Sequence, residues 1–271
     1  MGYDVATLER VVKTQRSDMW RMACEDAIEE CGIVEAWFGP IQATVFQAMP
    51  GWPGLNLILG AAEPDAVEAR HLARAIKWAD GFDVDYRVMV AQGRPGTAEA
   101  EALLNWNGFE QRRGQLRFVR DASPPKLPAN DAVTVWEIGQ DEADGETMVD
   151  GAAEAMALPH PASHLLFSLP RQKHWRTYTV ELGHDIVSFG SMLLKDDVAM
   201  FALDATFDEY RGRGCQMALL RHRILDAIEA GCQTMFAELE EDESAEALTA
   251  ARNLVRAGFV PGCRSISWQR P

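Results

Sequence analysis

With 271 residues, 47% of them apolar and 25% charged, the chain has the make-up of a folded globular protein, and disorder as its main state is excluded. A formal net charge of −15 argues against a nucleic-acid partner, because neutralising phosphates needs a basic footprint. No run approaches the roughly 20 apolar residues of a membrane helix, so no membrane partner is expected either.

From the N-terminus, Met1 to Glu9 is polar and acidic and lacks the basic-then-apolar order of a secretory signal, which leads to the expectation of a cytoplasmic protein. Cys24, Cys31, Cys215, Cys232 and Cys263 are odd in number and scattered, so reduced thiols are expected, with neither disulfides nor a metal. His71, His160, His164, His174 and His184 show no metal-ligand spacing. Trp20, Trp37, Trp52, Trp78 and Trp106 all fall in the first half and are expected to fill its core.

Gly81 closes a helix and leads into an apolar strand from Val84 to Val90. Leu104 precedes Gly108-Phe109 by four residues, and Leu116 and Phe118 follow. Asp121 to Asn130 then carries three prolines in five positions, which remove backbone donors and hold the chain extended. The chain is therefore divided into residues 1–121, a linker at 122–132, and residues 133–271. The halves carry net charges of −5 (1–121) and −10 (122–271), a field that would suit a cationic substrate but equally serves solubility.

The second half echoes the first at an offset of 150 residues. Gly231 answers Gly81, Leu254 answers Leu104, Gly258-Phe259 answers Gly108-Phe109, and Ile266 and Trp268 answer Leu116 and Phe118. That recurrence points to a duplicated unit. Trp175 and Arg176 precede a strand at Thr177 to Leu182, where they could touch substrate but are read first as core or edge packing. Ile186 to Leu194 and Val198 to Thr206 are apolar, β-favouring runs joined by Lys195-Asp196-Asp197, a hairpin. From Cys215 to Ala230 the period is helical, with Met217, Leu220, Ile224, Ala227 and Ile228 on one face. A strand from Thr234 to Leu239, a helix from about Ser244 to Ala257 and a strand near Arg264 to Trp268 complete an α/β (α+β) reading.

Between the hairpin and the helix lies Arg211-Gly212-Arg213-Gly214-Cys215-Gln216. Two glycines let the backbone turn tightly and bare its amides. Those amides stand at a helix N-terminus, where unpaired N–H groups and the dipole favour an anion, and Arg211 and Arg213 add positive charge. The arrangement suits a pyrophosphate. It is neither a triphosphate loop, lacking Gly-Lys-Ser/Thr, nor a dinucleotide fingerprint, since Met217 occupies the third glycine's place.

In this order of elements, Arg211, Gly212, Arg213 and Gly214 resemble the cofactor motif Arg/Gln-x-x-Gly-x-Gly/Ala of the GNAT superfamily of N-acyltransferases, and the helix ending in Gly258-Phe259 is similar too. The resemblance covers about 133–271 and implies tandem GNAT-like lobes, each a mixed, largely antiparallel sheet flanked by helices. It implies acetyl-CoA or another acyl-CoA as cofactor, held by the amides of Gly212 to Gln216, by backbone groups of Thr206 and Phe207 beside splayed strands, and by Asn253 on the far wall. The implied reaction is acyl transfer to an amine of a small molecule or peptide, possibly cationic.

Two positions depart from the family pattern. Gln216 stands where Gly or Ala is usual, and Leu254 stands where a tyrosine often protonates the leaving thiolate. Glu238, at the end of a strand beside the splay, is the candidate base, although Glu238, Glu240, Glu241, Asp242 and Glu243 also read as a solvated acidic run or as an attractor for an ammonium group. At the 150-residue offset the first half has Ala61-Ala62-Glu63-Pro64-Asp65-Ala66, whose proline lacks a donor and whose acids repel phosphate. That half is expected to be a degenerate copy. The alternative to an active enzyme is an inactive acyl-CoA-binding or scaffold protein.

Overall fold

A computed structural model describes residues 3–21, 25–68, 70–139, 151–154, 162 and 164–271. The first half contains α1 (Val5–Arg21), α2 (Glu25–Cys31), β1 (Ile33–Phe38), β2 (Ile41–Phe46), β3 (Leu57–Leu59), α3 (His71–Ala79), β4 (Arg87–Ala91), α4 (Thr97–Trp106) and β5 (Glu110–Asp121). The second contains β6 (Val133–Glu137), a 3-10 segment (His164–Arg171), β7 (Trp175–Leu182), β8 (Asp185–Lys195), β9 (Val198–Thr206), α5 (Cys215–Glu229), β10 (Thr234–Glu240), α6 (Ala245–Arg256) and β11 (Val260–Gln269).

All the described strands join one sheet in the order β1-β2-β3-β4-β11-β5-β10-β9-β8-β7-β6. Each half sends its last strand into the other. β5 lies antiparallel to β10, Phe118 opposite Ala237, while β11 lies antiparallel to β4, Ile266 opposite Val90. β5 and β11 also pair with each other, so the sheet is continuous across the linker. Apart from the parallel pairs β3–β4 and β9–β10, the ladders are antiparallel.

Strand alternation sends side chains to two layers. Met89, Val119, Phe236, Met200 and Trp175 face α1 and the 3-10 segment, and this cluster runs across both halves. On the other face Val88, Val90 and Ile266 pack under α3 and α4, and Phe118, Phe201 and Met235 pack under α5 and α6. In α5 the fully covered Leu219, Leu220 and Ile224 each contribute about 1.5–3 kcal/mol of burial.

The segments spaced by 150 residues carry the same local structure. Gly108 and Gly258 both hold left-handed φ (+77° and +88°). Behind them the amides of Phe109 and Phe259 donate to Leu104 and Leu254 at 3.0 Å in each case, the bond that stops the helix. The start of α6 is capped by Ser244, whose hydroxyl accepts from the Ala247 amide at 3.2 Å. β4 begins at Arg87, three residues later than the apolar run suggests.

The tryptophans of the first half correct the expectation of a filled core. Trp106 is 91% exposed, and Trp37 and Trp52 are about half exposed, whereas Trp78 packs partly buried against Phe38 and Phe82. α4 buries Ala100 and Leu104, and Trp106 lies about 200° round the helix from Leu104, on the solvent side. The side chains of Trp20 and His164, and residues Cys24 and His160, lie outside the described residues. Among the described residues no helix is long and apolar enough to cross a membrane.

Candidate functional site

The site begins where two parallel strands part. β9 and β10 pair from Val198–Thr234 to Phe201–Ala237 and no further. Beyond that point β10 stays on β5 as far as Glu240–Gln115, while β9 stays on β8 as far as Thr206–Ser188. The V between them bares main-chain groups along the edge of β9. A bulge opens it: in the β8–β9 ladder Gly190 alone faces Leu203 and Asp204, and Leu203 holds φ +58°. An extra residue on one strand bends it and breaks pairing, here at the next position after Phe201.

At the far end of β9 the chain turns through Asp208–Tyr210 into the glycine loop. Gly212 (φ +77°) and Gly214 (φ +85°) both lie in the left-handed region, which glycine adopts without penalty, and Gly214 is the residue from which α5 starts. Among the described residues, the amides of Gly212, Arg213, Gly214, Gln216 and Met217 have no protein acceptor. They are the orphan donors of a helix N-terminus, at the positive end of its dipole.

A cleft of about 700 Å³ is lined by four of these residues, Gly212, Gly214, Gln216 and Met217. Its floor is Ala205, Thr206 and Ser188 of the strands, and its walls are the start of α5 and the face of α6 that carries Thr249, Asn253 and Arg256. Of the sequence-predicted cofactor residues, Thr206, Arg211, Gly212, Gly214, Cys215, Gln216 and Asn253 line it. Two do not. Phe207 packs edge-on against Phe189, and the Arg213 guanidinium lies 5.3 Å from the Tyr210 ring centre.

Gln216 lines the cleft with its side chain turned to α6. Its Oε1 accepts from Asn253 Nδ2 at 2.6 Å, a bond that ties the loop to α6. Arg211 is shared between Asp208 at 2.8 Å and Glu246 at 3.5 Å. Tyr210 also lines the cleft, and the Asp185 carboxylate that accepts its hydroxyl proton at 3.0 Å lifts its pKa. Burial raises the Cys215 thiol above its ordinary value, so it is held as a neutral packing group.

Glu238 is not among the cleft-lining residues. Its Oε1 accepts from Arg117 Nε at 2.6 Å, on the α1 side of the sheet, and the same guanidinium bonds Glu9 at 2.5 Å. Burial would lower the Arg117 pKa, but the Glu238 and Glu9 carboxylates outweigh it and raise it. The rest of the acidic run makes more exposed pairs: Glu240 with Arg87, Glu241 with Arg264, and Asp242 and Glu243 with Arg113. The covered Glu238–Arg117 pair ties β10 to β5. Leu254 is 4% exposed, within the α5–α6 core. In the first half, the loop at the 150-residue offset is filled by its own carboxylate, since Glu63 bonds Arg94 at 2.6 Å and lies 3.6 Å from Lys13.

Sequence reasoning missed Asp204 and Arg223. Arg223 sits on the buried face of α5, fully covered, and forms two 2.6 Å bonds to the Asp204 carboxylate. The signal was available: position 223 falls on the same stripe as Leu220, Ile224 and Ala227, and Asp204 interrupts an apolar strand.

No protein-family model matches the sequence, and no curated protein matches it. Solved structures do. A GCN5-related N-acetyltransferase from Kribbella flavida superposes with a TM-score of 0.64 at 15% identity, covering 100% of this chain and 97% of that one. A GCN5-related N-acetyltransferase from Sphaerobacter thermophilus gives 0.63 at 15% identity over 86% of this chain and 78% of that one. A tandem GNAT protein from the clavulanic acid biosynthesis pathway, described without AcCoA, gives 0.57 at 14% identity over 84% and 77%. The chain has the GNAT fold.

Proposed function

We propose that this chain binds an acyl-CoA in the cleft between α5 and α6 and transfers an acetyl or other short acyl group to an amine. The observation that carries the reading is the set of unclaimed amides of Gly212, Gly214, Gln216 and Met217, at the mouth of α5 and among the residues that line the cleft. Two left-handed glycines leave no Cβ between those donors and an anion, which is the fit a diphosphate needs. Solved structures named as N-acetyltransferases share the fold, which supports the reading.

In this reading the loop amides hold the diphosphate and Arg256 adds positive charge on the α6 wall. The unpaired edge of β9 after Phe201 lies along the pantetheine arm, and a main-chain N–H there polarises the reacting carbonyl. The bound acyl-CoA supplies a thioester, whose carbonyl the amine attacks and whose thiolate leaves. Leu254 offers no proton to that thiolate, and a thiolate is a good enough leaving group to depart without one. Glu238 can act as base only by giving up Arg117. We assign the amine's proton to solvent at the cleft mouth instead.

The first half is proposed to be a degenerate copy whose Glu63 carboxylate occupies its own loop. A cytoplasmic location is supported by Cys31, Cys215, Cys232 and Cys263 being free thiols. The second reading, an inactive acyl-CoA-binding protein, is favoured by the buried Leu254 and the ion-paired Glu238. Calorimetry with CoA, beside release of free thiol from acetyl-CoA with polyamines, amino acids and aminoglycosides, tests both. Binding with turnover supports transfer, binding without turnover on any amine supports the second reading, and no binding removes both.

A further inference from the structure

The V that receives the pantetheine arm depends on a bulge, and the bulge needs something to hold it. Leu203 sits at φ +58°, where a bulky side chain is rarely found, and Asp204 follows it without a single cross-strand partner of its own. Arg223 of α5 supplies the hold. Both of its terminal nitrogens bond the Asp204 carboxylate at 2.6 Å, and one of them also bonds the Ser191 carbonyl of β8 at 2.9 Å. The guanidinium is fully buried and lies 4.6 Å from the centre of the Phe201 ring, at the last paired residue before the V.

Across from the bulge, Gly190 makes room. A Cβ there would stand 2.7 Å from Asp204 Oδ1 and 3.0 Å from an Arg223 terminal nitrogen. The fork therefore spans three elements at one point, α5, β8 and β9, and that point is where β9 leaves β10. Asp204 also lines the cleft, so the clamp and the ligand surface share a residue.

We propose that Arg223 is a positioning residue which, through Asp204, sets the opening between β9 and β10 and so the register of the β9 main chain along the pantetheine arm. The proposal rests on the acyl-CoA reading. A buried ion pair is weak evidence of stabilisation, since a well-packed apolar pair often serves as well. Its bidentate geometry fixes orientation, which an apolar pair does not. The loop amides, by contrast, lie at the other end of the cleft and do not touch this pair.

That separation gives the test. ADP carries the diphosphate without pantetheine and reports on the loop alone, whereas CoA reports on both. Calorimetry of the whole chain with each ligand compares the wild type with Arg223→Met and Arg223→Lys, the latter keeping the charge and losing the fork. The expected result is CoA binding weakened about tenfold or more in both variants with ADP affinity held within about twofold, a change of ratio that general loss of structure does not produce. Unchanged CoA affinity, or CoA and ADP weakened by the same factor, overturns the positioning role while leaving the acyl-CoA reading in place. Should Arg223→Met not fold, Gly190→Ala, whose Cβ forces the Asp204 carboxylate to shift, is read by the same ratio and the same criteria. A wild type that binds neither ligand overturns the functional reading, and this inference with it.

Discussion

Replacing Gly214 probes the proposed anion site with two separable forces. At φ +85° any side chain costs about 1–2 kcal/mol, and a Cβ would come within 2.9 Å of Asn130 Nδ2. That atom is the end of a side chain in the connection between β5 and β6, so it can move and the fold should survive. Gly214→Ala carries only this strain. Gly214→Asp carries the strain and sets a carboxylate within roughly 5 Å of a bound diphosphate. At that distance repulsion is about 1 kcal/mol per charge in a water-like dielectric and about 3 kcal/mol at an effective constant of 20. Two phosphate charges then give at least about 1.7 kcal/mol, a loss of about fifteenfold or more in CoA affinity beyond that of Gly214→Ala. The difference should shrink as salt rises, because screening shortens from about 10 Å at 0.1 M to about 3 Å at 1 M. Calorimetric titration of both variants with CoA at two salt concentrations reads this directly. Equal affinities for the two variants would refute the placing of the diphosphate at this helix mouth.

Glu238→Gln should lower the unfolding midpoint in denaturant, since it weakens a buried partner of Arg117, with losses of about 3–5 kcal/mol known where such a pair is fully broken. CoA binding should persist, and abolished transfer in the folded variant would return Glu238 to the role of base. Residues 133–271 expressed alone should be insoluble, because β10 loses β5 from its open edge, and co-expression with residues 1–132 should restore a soluble complex. A soluble monomer of 133–271 would contradict the importance of the exchanged strands. Burial pushes the Cys31 thiol from 9.0 up to about 11. The folded state thus holds that proton more tightly than the unfolded one, and the stability it contributes is complete below about pH 9 and lost as pH rises through about 11. Unfolding curves across that window should fall less steeply for Cys31→Ala than for the wild type, and identical slopes would count against it.

Local signals made much of the second half legible. The apolar runs marked β8 and β9, the serine three residues before an amide donor marked the start of α6, and Gly258 marked its end, because each depends on neighbours in sequence. The glycine loop could be read because its chemistry lies in the backbone of consecutive residues. What stayed hidden was non-local. Nothing near Arg117 says that its partners are Glu9 and Glu238, and nothing near Val260 says that β11 will insert beside β4. The acidic run is solvated at Glu240, Asp242 and Glu243, as its composition suggested, whereas the cover over Glu238 comes from Arg117, far away in the chain. Trp106 was misjudged for a different reason: composition suggested a core, whereas its angle on α4 relative to Leu104 already pointed to solvent.

The most direct measurement is an amide NMR titration of the intact chain with CoA. The account predicts the largest shifts at Gly212, Gly214, Gln216 and Met217, joined by Ala205 and Thr206 on β9, with the loop around Glu63 unmoved. No shift at those amides at saturating CoA, or shifts centred on the first half, would contradict it.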